Sequence, residues 1–276
     1  MGRITTLEDF NVEAWEQGDF VSAYSSRHIS PVEAVVLAQY RGSLNGPVLE
    51  LGSGAGRLTR VLVNLRADVT ALDVSPRMVE ACRRNVPEAR VELGDLRDLS
   101  RFADGAFRAI VASNNLIDVL SDAGRRAALA DMARILTGDG VLLFSSHNQA
   151  NIPYLDTSLG SYARGALSSP SEFARAVYHS RHFVRRLRNR RTARTFETDA
   201  GEYALVNDPV HEHRLVHYFI RRDAQARQLA AIGLELEACF DTDGRDVPGG
   251  EDAETSTELH YAAGRFPPRT PAAERG

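Results

Sequence analysis

The strongest constraint on the fold of this chain is a glycine-rich segment that joins an apolar run to a helical one. Residues 48–51 are apolar apart from Glu50, and they lead into Gly-Ser-Gly-Ala-Gly at residues 52–56. Leucine and valine then recur at positions 58, 61, 62 and 65, which is the spacing of one helical face. Glycines let the backbone turn sharply and approach a ligand closely. The free N–H groups at the start of the helix favour a polar or anionic ligand group.

An acidic residue at the end of the next predicted strand strengthens this interpretation. Asp73 lies 21 residues after Gly52, where a carboxylate can accept hydrogen bonds from both hydroxyls of a ribose. A glycine pattern alone is weak evidence. The loop, its flanking strand and helix, and Asp73 together indicate a nucleoside cofactor.

Two further acidic positions separate the candidate cofactors. Glu50 precedes the first glycine by two residues, where it would repel a dinucleotide pyrophosphate and suits an ammonium or sulfonium group. Gly94 and Asp95 follow the third predicted strand, where a carboxylate can accept a hydrogen bond from an adenine amino group. These charges favour S-adenosylmethionine over a nicotinamide dinucleotide.

Apolar segments alternate with helical segments through the first half of the chain, which is typical of an α/β protein. The predicted strands are residues 48–51, 68–72, 90–93, 107–112, 141–145, 234–240 and 258–266. Such alternation implies a parallel sheet with right-handed crossovers. We therefore predict a doubly wound, Rossmann-like seven-stranded sheet with five parallel strands and a C-terminal antiparallel pair.

With these motifs in place, the chain resembles the class I S-adenosylmethionine-dependent methyltransferases of the small-molecule type. The resemblance covers residues 48–147 by motif and residues 223–266 by layout. One position departs from the family, which often has cysteine, aspartate or asparagine between the first two glycines. Here that residue is Ser53, which is also small and polar. The resemblance implies S-adenosylmethionine as cofactor and S-adenosylhomocysteine as product.

The resemblance also implies which residues contact the cofactor. The glycine segment would hold its methionine end, Asp73 its ribose and Asp95 its adenine. In similar enzymes an N-terminal tyrosine, here Tyr24, often covers the cofactor, although it could be an ordinary partly buried tyrosine. The implied set is Tyr24, Glu50, Gly52, Ser53, Gly54, Gly56, Arg57, Asp73, Val74, Met78, Gly94, Asp95, Leu96, Ser113 and Asn114.

The chain divides into five parts on this interpretation. We predict an N-terminal helical cap at 1–45, a cofactor-binding core at 46–147, a substrate-cap insert at 148–221, a C-terminal part of the core at 222–266 and a disordered tail at 267–276. The insert breaks the alternation, because an arginine-rich helical run is followed by β-leaning runs at 192–198, 202–206 and 211–220. An antiparallel insert of this kind caps the acceptor pocket in the enzymes that the chain resembles.

Residues that act on the methyl acceptor are expected after the fourth and fifth strands. His147 lies just past the fifth predicted strand, where doubly wound sheets place their sites, and it is the best candidate for a catalytic base. It could instead bond the local backbone. Asn115 is a second catalytic candidate, and Asn115 and Asp118 could orient the acceptor, although Asp118 could simply begin the next helix. The sequence 113–116 lacks the Asn/Asp-Pro-Pro-Tyr/Phe motif of nucleic-acid base and glutamine methyltransferases.

Three histidines alternate within one predicted strand. His211, His213 and His217 share parity and could share a face, and three histidines on one face could bind metal. We instead expect a polar surface, or His217 alone pointing into the acceptor cavity, and we predict no metal site.

Charge and cysteine content limit the partners and the compartment. The formal net charge is −4 and all 33 basic residues are arginine, so no overall basic field attracts nucleic acid. The two cysteines suggest free thiols in a reducing compartment, and no signal or membrane-spanning run is evident. We predict a cytoplasmic monomer or homodimer with a small-molecule acceptor, without a membrane and with nucleic acid disfavoured as a partner.

Three functions remain open at this point. The leading hypothesis is methyl transfer to oxygen or nitrogen of a small molecule, as in specialised metabolism. A second is an RNA, peptide or protein methyltransferase that docks its substrate on the arginine-rich segment 175–194, which could equally be a solvated helix in a lysine-free protein. A third is a cofactor-binding protein without catalysis.

Overall fold

The computed structural model describes residues 6–17, 28–152, 183–208 and 213–265 of the 276-residue chain. Several sequence predictions therefore lie outside the described residues. They concern Tyr24, His211, the arginine-rich segment before Phe183 and the tail at 267–276.

The described part of the chain contains seven α-helices. They are α1 (Leu7–Gln17), α2 (Pro31–Gln39), α3 (Arg57–Asn64), α4 (Pro76–Asn85), α5 (Asp122–Ile135), α6 (Phe183–Ala193) and α7 (Arg222–Ala230). Serine side chains cap three of them, because Ser30, Ser75 and Ser121 each accept a backbone N–H of the first turn. Proline follows the first two serines at the first helical position, where its missing N–H costs nothing.

The described strands form one sheet. They are β1 (Pro47–Leu51), β2 (Asp68–Asp73), β3 (Arg90–Leu93), β4 (Phe107–Ala112), β5 (Leu136–Asn148), β6 (Thr198–Asp199), β7 (Tyr203–Asp208), β8 (Leu215–Ile220), β9 (Glu235–Phe240) and β10 (Glu258–Gly264). The first five are parallel, in the order β3-β2-β1-β4-β5. β10 is antiparallel to both β5 and β9. The doubly wound α/β core and its C-terminal antiparallel pair are therefore confirmed.

The strand count differs from the prediction, because the insert joins the sheet. In the described residues the sheet has ten strands and not seven. β5 continues to Asn148, past the last residue that pairs with β4. β8 pairs in parallel with this extension at His147 and Asn148, while β10 pairs along the other edge of β5. A strand of 13 residues thus has room for neighbours from both the core and the insert.

Two predicted strands of the insert were misplaced. The segment 192–198 was predicted as a strand, but α6 continues to Ala193, which is fully buried against residues of α1 and β8. Tertiary packing here outweighs the strand preference of the local sequence. The strand predicted at 211–220 begins only at Leu215, and His213 lies in a turn with a positive φ of 61°.

The core lies on both faces of the central strands. Val48 and Leu49 on β1 are both fully buried, one in each of the two main apolar clusters. Continuous apolar runs are typical of parallel strands covered on both faces. In the described part of the chain, no helix has the length and apolar character needed to cross a membrane.

Candidate active site

A cavity of about 430 Å³ lies at the carboxyl ends of the parallel strands. This is the edge at which open α/β sheets bind their ligands. Most of the residues predicted from the sequence line it: Gly52, Gly54, Asp73, Val74, Met78, Gly94, Asp95, Leu96, Ser113, Asn114, Asn115, His147 and His217. Glu8 and Val12 of α1 and Leu215 of β8 complete the lining at the side of the N-terminal helix and the insert.

The glycine loop is held tightly against the neighbouring strand. The backbone N–H groups of Gly52 and Ser53 both donate to the carbonyl of Leu72, at 2.8 and 3.1 Å. Gly52 has φ = 68°, and a Cβ there would lie 2.6 Å from Cδ1 of Leu116. Only glycine fits this position without strain. The backbone of the loop therefore packs more closely against Leu116 than a residue with a side chain would allow.

Asp73 connects the end of β2 to the glycine loop. Its Oδ2 accepts the backbone N–H of Gly54 at 2.8 Å, and its Oδ1 accepts that of Ser75 at 2.9 Å. Burial raises the pKa of Asp73, and these two hydrogen bonds oppose the rise. The carboxylate thus borders the cavity with its position fixed by the loop.

Glu50 is a fully buried carboxyl group below the same loop. Burial raises its pKa to about 8, although a hydrogen bond from Thr59 and the charge of Arg57 oppose the shift. Its Oε2 has no hydrogen-bond partner among the described residues. A pocket of about 50 Å³ lies beside it, lined also by Ser53 and Asn114. A buried, unpaired carboxyl oxygen next to a small pocket fits the cationic ligand group expected from the sequence.

Arg57 is paired within the protein, and its contact with the cofactor stays a prediction. Its guanidinium forms a bidentate ion pair with Glu33 of α2, at 2.6 and 2.7 Å. Burial acts to raise the pKa of Glu33, but Arg57 and Ser113 outweigh it and lower the pKa to about 2. Arg57 therefore ties α2 to the glycine loop. Glu33 was not predicted as a site residue, because the pattern Ser30-x-x-Glu33 indicates only a helix-capping box.

Asp95 is also paired within the protein. Its Oδ2 lies 2.6 Å from Arg97, and its Oδ1 accepts the backbone N–H of Arg97 at 2.9 Å. The carboxylate still lines the cavity, next to Leu96 and Val74. Its contact with an adenine stays a prediction.

His147 is held by a buried carboxylate. Its Nδ1 lies 2.7 Å from Oδ2 of Asp118, and its backbone N–H donates to the same oxygen at 2.7 Å. A carboxylate only accepts, so Nδ1 carries the hydrogen and Nε2 keeps its lone pair. Asp118 lies in the first turn of the 3₁₀ helix Leu116–Val119 that follows β4, as one of the two sequence hypotheses expected. Its side chain is fully buried and orients His147.

A buried arginine balances the charge of Asp118. Arg125 is fully buried and forms an ion pair with Asp118. It also donates to Gln225 at 2.5 Å and lies 4.5 Å from the ring centre of Tyr218. Burial acts to raise the pKa of Asp118, but the charge of Arg125 and the hydrogen bonds from His147 hold it below its ordinary value. Asp118 therefore remains an ionised acceptor behind the imidazole ring.

The insert supplies one wall of the site. The ring of His147 stacks on that of His217, with centroids 4.8 Å apart and an interplanar angle of 16°. Phe219 packs against the same ring at 4.8 Å. His217 lines the cavity, as expected. His213 is buried elsewhere, with its Nδ1 2.5 Å from Asn207, so it does not share the strand face of His217.

Glu258 is a cavity residue that sequence analysis missed. It begins β10 directly opposite His147 of β5. Nδ2 of Asn115 lies 2.6 Å from Oε2 of Glu258 and 3.3 Å from Nε2 of His147. Burial acts to raise the pKa of Glu258, but the hydrogen bond and charge of His260 lower it overall. Only the antiparallel register of two strands 110 residues apart brings these groups together.

Comparison with known proteins relates the central part of the chain to methyltransferases. Residues 48–140 match the methyltransferase domain family. The malonyl-[acyl-carrier protein] O-methyltransferase of Acetivibrio thermocellus is 30% identical over 128 residues, which are 46% of this chain and 44% of that protein. The ubiquinone biosynthesis O-methyltransferase of Xanthomonas oryzae pv. oryzae is 26% identical over 142 residues, covering 50% and 56%. The chain spans about half the length of these curated relatives.

The fold has close counterparts among solved structures. The CcbJ methyltransferase from Streptomyces caelestis superposes with a TM-score of 0.55 at 16% identity, covering 95% of this chain and 99% of that one. Residues 48–140 thus match a methyltransferase domain, in agreement with the resemblance seen in the sequence, and the chain shares its fold with a solved methyltransferase.

Proposed function

We propose that this protein transfers a methyl group from S-adenosylmethionine to an oxygen or nitrogen atom of a small molecule, as in specialised metabolism. The observation that carries the proposal is one continuous cavity. It runs from the glycine loop and Asp73 to the imidazole of His147, which a buried carboxylate fixes in orientation. A cofactor loop and an oriented base at opposite ends of one cavity support catalysis over binding alone.

The residues around the loop fit the cofactor. Glu50 offers an unpaired buried oxygen for the ammonium group, Asp73 offers its carboxylate for the ribose hydroxyls, and Asp95 and Leu96 border the space for adenine. When bound, S-adenosylmethionine supplies an electrophilic methyl group. The protein has to hold the acceptor atom in line with that methyl and accept a proton where one is released.

His147 is suited to accept that proton. Nδ1–H is engaged by Asp118, so the lone pair is on Nε2, which lies 3.3 Å from Nδ2 of Asn115. The histidine side chain is 21% exposed beside the cavity. The positive charge that develops on the ring is stabilised by Asp118, whose own charge Arg125 balances. A positioned base of this kind contributes a rate factor of about 10²–10⁴.

The dimensions of the cavity support a small acceptor. Its volume of about 430 Å³, within the usual range of small-molecule sites, has to hold both the cofactor and the acceptor. Residues of α1 and β8 contribute to its walls beside the residues of the cofactor loop. The two curated relatives are named as O-methyltransferases, but they match this chain over only about half its length. The choice between oxygen and nitrogen therefore depends on residues of this chain.

The proposal is tested by measuring S-adenosylhomocysteine release with a panel of small phenols, carboxylic acids and amines. His147→Gln is expected to lower turnover about 10²-fold or more while leaving the calorimetric affinity for S-adenosylhomocysteine unchanged. His28→Gln, at an exposed histidine away from the cavity, is the matched control. Cofactor binding without turnover on any acceptor would contradict the proposal and favour a non-catalytic protein.

A further inference from the structure

We propose that the methyl acceptor is the nitrogen of a primary or secondary amine, and that Glu258 recognises it as an ammonium ion. This inference rests on the proposed function and narrows its acceptor. It comes from the groups that face one another at Asn115: the carboxylate of Glu258, Nε2 of His147 and the amide of Asn115 itself.

Glu258 is placed as a recognition group, because its contacts with Asn115 and His260 leave part of its carboxylate facing the cavity. It lines the cavity, and its side chain is 28% exposed there. Its hydrogen-bond donors are Nδ2 of Asn115 at 2.6 Å and Nε2 of His260 at 3.2 Å. These donors keep its pKa below the ordinary value in spite of burial, so Glu258 is ionised at neutral pH. The described residues include no arginine in salt-bridge contact with it.

The hydrogen-bonding groups at this end of the cavity are mostly acceptors. Glu258 is a carboxylate, and Nε2 of His147 holds a lone pair because Asp118 engages Nδ1. The donor near both groups is Nδ2 of Asn115, at 2.6 Å from Glu258 and 3.3 Å from Nε2. Oδ1 of Asn115 is buried with no partner in the described chain. An ammonium group carries several N–H donors and can satisfy several acceptors at once. A phenol or alcohol has one O–H donor, and removal of that proton leaves an anion.

The charges around the cavity also favour a cationic acceptor. Among the described residues that line it, the arginine is Arg97, and Asp95 occupies its guanidinium. Arg125 is fully buried behind Asp118 and does not border the cavity. A phenolate or carboxylate acceptor would therefore meet Glu258 without a compensating cation. A cationic amine would be attracted by the same carboxylate.

The chemistry balances with the groups present. The bound ammonium gives one proton to Nε2 of His147 and becomes a neutral amine. Its lone pair forms the new N–C bond as the S–CH₃ bond breaks, and the electron pair of that bond stays on sulfur. The products are a methylated ammonium ion and S-adenosylhomocysteine, and His147 returns its proton to water.

Binding of a matched series of ligands tests the inference without knowledge of the natural acceptor. Benzylammonium, benzyl alcohol and benzoate share one skeleton and differ in charge. We expect calorimetry on the S-adenosylhomocysteine complex to show benzylammonium binding about tenfold more tightly than the alcohol, and no binding of benzoate. Glu258→Gln should abolish this preference without changing the affinity for S-adenosylhomocysteine. Glu235→Gln, which removes the same charge at an exposed site on β9, should preserve it.

Several results would overturn the inference. Absence of ammonium binding at low-millimolar concentration, equal binding of the three ligands, or an unchanged preference in Glu258→Gln would each do so. A loss of S-adenosylhomocysteine affinity in Glu258→Gln would assign Glu258 to the cofactor instead. Glu258→Asp keeps the charge and should keep the preference, so equal loss in both variants would also contradict the inference. Failure of the wild-type protein to bind S-adenosylhomocysteine would contradict the proposed function itself.

Discussion

Oδ2 of Asp118 lies 2.7 Å from Nδ1 of His147 and 2.7 Å from the backbone nitrogen of the same residue. One carboxylate oxygen therefore fixes both the main chain and the ring of His147. Asp118 is fully buried and paired with Arg125, so its carboxylate is held in place behind the ring. This arrangement determines which ring nitrogen faces the cavity.

The first prediction concerns the tautomer of His147. Because Asp118 only accepts hydrogen bonds, neutral His147 should carry its hydrogen on Nδ1. Nitrogen-15 NMR of the labelled protein should show a protonated-type shift at Nδ1 and a lone-pair-type shift at Nε2, assigned by the loss of these signals in His147→Gln. A hydrogen on Nε2 would remove His147 as the proposed base.

A second prediction concerns the glycine loop. Gly52→Ala adds a Cβ at φ = 68° and 2.6 Å from Leu116. Strain and overlap should lower the free energy of unfolding by about 2 kcal/mol or more, as measured by urea denaturation. Gly138→Ala is the control, since a Cβ there meets no described atom within 4 Å; its effect should stay within about 0.5 kcal/mol. Equal stability of the two variants would contradict the loop geometry.

The ion pair between Glu33 and Arg57 predicts a pH dependence of stability. The pKa of Glu33 falls from an ordinary 4.5 to about 2 in the folded protein. A carboxyl group whose pKa is lower in the folded than in the unfolded protein stabilises the fold. This contribution is complete at a pH above the unfolded-state pKa and is lost as the pH falls through the folded-state pKa. Glu33→Gln should therefore cost roughly 2–3 kcal/mol at neutral pH.

The difference in unfolding free energy between wild type and Glu33→Gln should shrink as the pH falls from about 5 toward 2. Urea denaturation across this range measures it, with the exposed Glu88→Gln as the control. A difference that does not change with pH would show that Glu33 contributes by packing and not by its charge.

A fourth prediction concerns proton release by Glu50. Burial raises its pKa to about 8, so the free protein holds this carboxyl mostly protonated at pH 7. A ligand ammonium group beside it would favour the ionised form and release a proton. Calorimetry of S-adenosylhomocysteine binding in buffers of different ionisation enthalpy should detect more proton release in wild type than in Glu50→Gln. Equal proton release by wild type and Glu50→Gln would show that Glu50 does not interact with the ammonium group of the ligand.

Much of the core could be predicted from sequence because its signals are local. The glycine loop, Asp73 and the alternation of strands and helices each occupy a short segment, and the structure brings them to one cavity as expected. The end of α6 and the start of β8 could not be predicted, because packing against distant elements decides them.

The polar partners in the site were the least predictable part. Glu33 and Glu258 each act on a residue far away in sequence, while Arg125 acts on Asp118 from the following helix. The local surroundings of all three look like ordinary helix and strand positions. Arg57 illustrates the converse: its place beside the glycine motif implies a cofactor contact, yet Glu33 of another helix occupies its guanidinium. Such pairings depend on register and crossover geometry, which no local pattern encodes.

The most direct test of the account is the affinity of the protein for S-adenosylhomocysteine with and without the carboxylate of Asp73. Calorimetry should show binding by wild type and a loss of about 10- to 100-fold in Asp73→Ala and Asp73→Asn, because charge-assisted hydrogen bonds to the ribose are removed. Asp68→Ala, at the exposed start of the same strand, should bind normally. Unchanged affinity in both Asp73 variants, with their fold confirmed by thermal unfolding, would contradict the assignment of this site to the cofactor.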